Sequence, residues 1–274
     1  MTTLALRPTL SFPFVATLFE RQRLLANYGI ACLLLAVPAA AMIAIDPAQL
    51  HNGVSPWVKP VKFLVSVGLF TLTSAWFFGY VRSERRRSRT LRWTAAVLVG
   101  AASFEMFWIT WQAAHGVDSH FNTARPIDAL MFQLMGVFAL VLTGTTLPLA
   151  REIAKRPASG LSGDYVAAVS IGLVLTFVLG SAAGIALGAN NGHAVGPEGQ
   201  PLPLFGWNGI GGDLRPAHFL GIHAEQIIPA GAALIGGLAG RTRRALVIGG
   251  TVAYVGLFAA VFAQALAGRP LIPA

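Results

Sequence analysis

Charged side chains are scarce in this chain of 274 residues: Asp, Glu, Lys and Arg together make up 11%, less than half the share of about 25% usual in soluble domains. With 55% hydrophobic residues and a mean hydropathy of +0.64, no soluble fold of this size could hide its apolar surface, so lipid must cover it. There is a single cysteine, Cys32, which excludes a disulfide framework and a thiolate metal cluster. Lying within an apolar run, it reads as a small core residue. His-Glu-x-x-His, a nucleophile elbow and a phosphate loop are all absent, which removes the best-marked hydrolase and nucleotide-binding classes. The last apolar run has no lysine for a retinal Schiff base. No internal repeat, low-complexity tract or long linker divides the chain.

What the chain has instead is seven apolar stretches, 24–45, 57–81, 93–115, 127–150, 165–189, 217–240 and 245–267. A helix needs about 20 residues to cross a bilayer, and open strands would leave backbone groups unpaired in hydrocarbon. The expected fold is therefore all-α, a seven-transmembrane-helix bundle over 24–267. A segment 1–23 precedes it and a tail 268–274 follows. The net charge of +9 does not point to nucleic acid, because the basic residues cluster between the spans. Fifteen of the 20 fall in four segments: Arg7, Arg21 and Arg23; Arg82, Arg85, Arg86, Arg87, Arg89 and Arg92; Arg151, Lys155 and Arg156; Arg241, Arg243 and Arg244. In a seven-span chain these four segments share one side, which the positive-inside rule assigns to the cytoplasm. The N-terminus is then cytoplasmic and the C-terminus periplasmic, in a bacterial inner membrane. Arg21 and Arg23 before the apolar run 30–41 also fit a signal peptide, but that run is long and begins late for one.

Small residues recur every four positions at Gly180, Gly184 and Gly188 and at Ala232, Gly236 and Gly240, a spacing that lets two helices approach closely. The one long connection, 190–216, is rich in Gly and Pro, carries Phe205 and Trp207 and exceeds ordinary loop length. It reads as a lid on the outer face, or as a cap resting on the headgroups.

All six histidines fall on or near the outer side: His51, His115, His120, His193, His218 and His223. His51 and His193 read as solvated loop groups. Glu105 and Glu225 lie inside spans, where ionisable groups are costly and mark a function or a pairing need. Glu105 and Gln112 are seven apart and share a helix face, with Glu105 about 15 Å deeper than His115. His218 and Glu225 share a face of the sixth span. His218 and His223, five apart, diverge by roughly 140°, so a regular helix does not aim both at one metal. Asp213 and Pro216 suit the start of that helix, and Asp128 suits the dipole at the start of the fourth span. Lys59 reads as snorkelling to the headgroups, Lys62 as the partner of Glu105 or Glu225, and Gln133 as an interhelical donor.

The segments 59–63, 115–122 and 212–229 resemble those of a family of bacterial multi-pass inner-membrane proteins with no established activity. The resemblance follows the order of the spans. It implies a membrane location and no reaction or site residue.

Three functions fit these residues. One is a haem-type cofactor or transition metal held by His218 or His223 together with His115 or His120. Another is a proton-linked carrier or small-ligand receptor with Glu105, Glu225 and His223 as the relay. The third is a zinc hydrolase using His218, His223 and Glu225, which the histidine spacing suits poorly. Lys62, Glu105, Gln112, Asn122, Arg125, Asp128, Arg215 and Gln226 line the expected polar pocket, open to a small ligand from the outer side. Against all three stands a purely structural role, each polar contact joining helices for about 0.6 kcal/mol.

Overall fold

A computed structural model describes residues 13–45, 54–199, 202 and 206–273; His51 and Phe205 lie outside them. Ten helices follow in order: α1 (Pro13–Arg21), α2 (Arg23–Ile45), α3 (Val58–Phe78), α4 (Arg89–Ala114), α5 (Pro126–Gly144), α6 (Thr146–Lys155), α7 (Gly163–Ala189), α8 (Arg215–Ile222), α9 (Ala224–Leu234) and α10 (Gly240–Leu266). Two short antiparallel strands, β1 (Ala194–Val195) and β2 (Gly212–Asp213), lie between α7 and α8.

Six segments are long and apolar enough to cross a membrane: α2, α3, α4, the joined α5–α6, α7 and α10. In place of an unbroken helix over 217–240 stand α8 and α9, end to end and interrupted at His223. Pro229, six residues on, weakens the first turns of α9. It has no N–H to give the Glu225 carbonyl, and its ring displaces that carbonyl from the helical path. The N–H of Glu225, open because it lies in the first turn of α9, is taken up from outside the helix, donating to Thr176 Oγ1 of α7 at 2.9 Å. The same device recurs where α5 meets α6. Pro148 interrupts the ladder there, and the hydroxyls of Thr145 and Thr146 donate to the carbonyls of Leu142 (2.6 Å) and Thr143 (2.8 Å). Thr146 also donates to Leu173 O of α7 at 2.8 Å.

α8 and α9 run antiparallel along α7 in close backbone contact. A Cβ on Gly221 would lie 2.7 Å from Gly180 N and from Leu179 C, and one on Gly180 would lie 3.1 Å from Ile222 Cγ2. Further along, a Cβ on Gly172 would lie 3.0 Å from Ala224 O and 3.2 Å from Pro229 Cδ, so this glycine makes room for the proline ring. Gly184 faces the His218 ring. Of the spaced small residues, Gly180 and Gly184 thus meet a neighbouring helix, while a Cβ on Gly188 or Gly240 would meet nothing within 4 Å and one on Gly236 only its own chain at Ala233 O. The decisive partners, Gly172 and Gly221, lie outside the four-residue series.

At the arginine-rich end the chain is tied down by cations. The Arg21 guanidinium stacks 3.8 Å over Trp76 and donates to its carbonyl at 2.8 Å. This anchors α1 against α3. Trp76 Nε1 donates to Tyr80 Oη, which meets Tyr165 Oη of α7 at 3.1 Å. Buried Glu152 pairs with Arg85 and Arg156 at 3.3 and 3.2 Å. Arg243 bridges Asp164, in the first turn of α7, at 3.0 Å and Gly236 O beyond α9 at 3.2 Å. The α8–α9 pair therefore reaches from the C-terminal end of α7 to its N-terminal end.

The segment before α8 is a folded cap and not a loose connector. Asp213 accepts from Asn208 N and Arg215 N, both at 2.9 Å, and forms an ion pair with Arg215. Arg215 Nη2 reaches Gly206 O at 2.6 Å. Leu214 N donates to His193 O at 2.9 Å. Gly212 sits directly on Ala265 at the end of α10, where a side chain has no room.

Replacing Gly221 with Ala puts a methyl group against the α7 backbone and is expected to cost about 1–3 kcal/mol. Gly188→Ala, with open space around it, is expected to be close to neutral. Thermal unfolding of the two detergent-purified variants checks this; equal midpoints refute the close α7–α8 crossing.

Candidate functional site

The polar residues of the histidine-rich end sort into four groups. The first joins α4 to α5: Gln112 Nε2 donates to Asp118 O and to Asp128 Oδ1, both at 3.3 Å. Asp128 is held in turn by the Arg125 fork at 2.7 and 2.8 Å. Asp128 is 2% exposed and the Arg125 side chain 64%, so this is a latch reaching in from solvent. Asn122 closes the same turn by donating to Asp118 O at 3.1 Å. The second group is the Asp213–Arg215 pair that fastens the cap. Burial acts to raise the Asp213 carboxyl, but the Arg215 guanidinium and two backbone N–H groups outweigh it and hold the group below the usual range.

The third group surrounds the helix break. Gln226 Nε2 donates to Glu225 Oε1 at 3.0 Å and to Thr73 Oγ1 of α3 at 3.4 Å, while its Oε1 meets His223 Nδ1 at 3.3 Å. Glu225 is 0% exposed, and its Oε2 is buried with no hydrogen-bond partner. The fourth group centres on Lys59 in the first turn of α3. Lys59 interacts electrostatically with Glu105 of α4 and with Asp118. His120 interacts with Lys59 and with His218 of α8, and His193 of the cap interacts with Lys59, Arg215 and Asp213. Glu105 is 4% exposed. Its Oε1 and the Nδ1 of His218 are both buried and without a hydrogen bond, as is Trp108 Nε1 one turn along α4.

The His120 ring is boxed by Phe63, Phe121 and Phe132, with ring centroids 5.7 to 6.3 Å away, and its Nδ1 meets Ser119 Oγ at 3.1 Å. Burial, then the charge of Lys59, holds its imidazole well below the ordinary value and therefore neutral. Burial and then Arg215 act in the same direction on His193.

Several expected residues do not join a shared site. His115 is exposed, its ring tilted against Trp111, and it is bonded to the Trp111 carbonyl at 2.8 Å. Lys62 is exposed on α3, and it is Lys59 that interacts with Glu105. Gln133 is exposed on α5. His218 and His223 interact electrostatically, but among the described residues no three His, Cys, Asp or Glu side chains converge to hold a metal ion. A zinc hydrolase site, which needs three protein ligands, is not assembled from His218, His223 and Glu225. Sequence reasoning left out Thr73 and Thr176 and assigned Lys59 to the headgroups and His193 to solvent. The available signals were Pro229, which predicts an orphan carbonyl and a disturbed helix at that depth, and the place of Lys59 inside the first turn of α3.

No family model, curated protein or solved structure matches this chain.

An imidazole held neutral in the fold charges more easily when unfolded, so the unfolded state binds more protons below about pH 6.5. The contribution of His120 to stability is therefore complete above that value and declines as the pH falls through it, by at most about 1.4 kcal/mol per pH unit. His120→Phe is expected to flatten the loss of thermal stability between about pH 7.5 and pH 5.5. A pH profile unchanged by that substitution refutes the neutral, boxed imidazole.

Proposed function

We propose that this chain is a multi-pass protein of a bacterial inner membrane that works as a proton-linked carrier or receptor for a small solute taken from the outer side. In this reading α8–α9 makes a seventh crossing, the arginine-rich end is cytoplasmic and the capped, histidine-rich end is periplasmic. Six apolar helices support the membrane location, and the clustering of fifteen of the 20 basic residues in four segments supports the orientation. The 20 residues from Arg215 to Leu234 span about 30 Å at helical rise, the thickness of the hydrocarbon core.

One observation carries the function: two buried carboxyls on different helices, Glu105 and Glu225, each keep an oxygen with no hydrogen-bond partner. A helix contact made only for stability would satisfy both oxygens, since a buried polar atom left open costs about 1–3 kcal/mol. An open carboxyl oxygen within a membrane span is the form in which a proton is bound and released. Glu225 also sits beside an interrupted helix, a recurrent position for solute and ion sites in carriers. His223 and Gln226 connect it towards α3.

A second reading, haem or transition-metal ligation, is supported by the open Nδ1 of buried His218. A Soret band or a stoichiometric metal in purified protein would favour it over the first.

In lipid nanodiscs, infrared difference spectra taken across a pH titration are expected to show carboxylic C=O bands from protected acids. Glu105→Gln and Glu225→Gln should each remove one, and Glu84→Gln, at the arginine-rich surface, none. Spectra in which no such band titrates, or in which the bands survive both substitutions, would overturn the proton-linked reading.

A further inference from the structure

We propose, building on the proton-linked reading, that Gln226 is a positioning residue for the proton at the helix break. It holds His223 with the ring hydrogen on Nδ1, so that His223 Nε2 and Glu225 Oε2 are the two atoms that take up and release protons. Thr73 has one hydroxyl hydrogen, and gives it to Leu69 O, four residues back on α3, at 2.8 Å. Towards Gln226 Nε2, 3.4 Å away, the Thr73 oxygen is therefore an acceptor. The Gln226 amide nitrogen has two hydrogens, one for Thr73 and the other for Glu225 Oε1 at 3.0 Å. Turning the amide over would set its oxygen against Glu225 Oε1 and against a hydroxyl with no hydrogen left to give. Its orientation is thus fixed from α3, and Gln226 Oε1 is left facing His223 Nδ1 at 3.3 Å. An amide oxygen only accepts, so the hydrogen of that bond belongs to His223 Nδ1. In the neutral ring the lone pair is then on Nε2.

The same contacts hold whichever group is charged. As a neutral acid, Glu225 carries its proton on Oε2, the buried oxygen with no hydrogen-bond partner, and its carbonyl oxygen Oε1 accepts from Gln226. As a carboxylate it accepts through the same Oε1. His223 gives its Nδ1–H to the amide oxygen as imidazole and as imidazolium alike, because the second proton goes on Nε2. Exchanging a neutral imidazole and a neutral acid for an imidazolium and a carboxylate moves one proton from Oε2 to Nε2, leaves the net charge unchanged and turns no hydrogen bond round. An imidazolium also polarises the amide and makes its N–H a better donor to Glu225, so Gln226 joins the two groups in one chain. The carboxyl is 0% exposed, and the Glu225 backbone N–H is held by Thr176 Oγ1 of α7 at 2.9 Å. His223 stands at the junction of α8 and α9, half-buried against Phe219 with ring centroids 4.3 Å apart. His218, five residues back on α8, is turned towards Gly184 of α7.

The test uses full-length protein in nanodiscs with isotope-labelled histidine nitrogens. Solid-state magnetic resonance reads the ring nitrogens, and infrared spectroscopy reads the acid C=O bands. The His223 signal is the one lost in His223→Gln, and the Glu225 band the one lost in Glu225→Gln. In the unmodified protein, uncharged His223 is expected to show hydrogen on Nδ1 and a bare Nε2. Gln226→Met, which removes the amide, should leave the two tautomers mixed. It should also move the Glu225 band to higher frequency, because the carbonyl oxygen loses its donor. Thr73→Val, milder and away from both proton-binding atoms, should move the two signals in the same directions by less. Gln133→Met, on the exposed side of α5, should move neither. Hydrogen on Nε2 of His223 in the unmodified protein, or a Glu225 band that stays in place in Gln226→Met and Thr73→Val, would overturn the role given to Gln226. The tautomer of the unmodified protein is read whether or not Gln226→Met folds. A Glu225 band that titrates but does not shift leaves the proton-linked reading standing, whereas the absence of any titrating acid band overturns that reading, so the two failures are distinguishable.

Discussion

Hydrocarbon offers no hydrogen-bond partner, so each polar group inside the bundle must be satisfied by the bundle itself. Most of the architecture follows from that constraint. Near the two helix interruptions threonine hydroxyls take up backbone groups: Thr176 the N–H of Glu225 at the start of α9, Thr145 and Thr146 the carbonyls of Leu142 and Thr143 between α5 and α6. Where a carboxylate is buried near an end, arginine forks enclose it, as at Asp128, Glu152 and Asp213. Against this background the exceptions are informative. Among the described residues six buried side-chain atoms have no hydrogen-bond partner, and four of them belong to Glu105, Trp108, His218 and Glu225. These four lie on α4 and the interrupted α8–α9 pair, and the other two, Ser170 Oγ and Ser181 Oγ, lie on α7. Native proteins relax the requirement at sites of function.

The relaxed region is held by unusually firm supports. α8 crosses α7 at backbone distance through Gly180 and Gly221, and Gly172 admits the Pro229 ring. The cap is sewn to the start of α8 by Asp213 and to the end of α10 by Gly212. Tyr254 of α10 donates to the carbonyl of Leu220 on the other side of α8. A helix interrupted in mid-bundle would otherwise be a weak point. Clamped by α7, α10 and the cap, the break becomes a fixed place at which Glu225, Gln226 and His223 are presented together.

Hydropathy made six segments long and apolar enough to cross a membrane legible, with boundaries within a few residues, because length and composition alone decide what lipid accepts. It did not show the one-residue interruption at His223, although Pro229 was in plain view: apolar character averaged over twenty residues is blind to a single missing N–H. The amphipathic α1 was equally invisible, since its hold on the bundle depends on Arg21 lying over Trp76, 55 positions away. For the candidate site, the sequence singled out the histidine-rich end of the bundle and two carboxyls that are buried in the fold. It read Lys62 as the partner of a carboxyl and Lys59 as lying at the headgroups. Lys59 and Lys62 share a helix face, and only the packing of α3 against α4, the cap and the loop carrying His120 separates a half-buried lysine from an exposed one. Close-approach glycines showed the same limit. Spacing identifies small residues on a face, but not which of them meets a neighbour.

The division of labour between arginine and lysine at this end has a physical logic. A guanidinium locks onto a carboxylate through two parallel hydrogen bonds, and the planar fork that makes the pair strong also makes it slow to be shared. Arg125 and Arg215 are used in that way, each fastening a helix start to its neighbours. An ammonium is a point charge on a flexible stem, able to turn among several acceptors at similar cost. Lys59, half-buried in the first turn of α3, and Lys62, exposed one turn further on, are of this second kind.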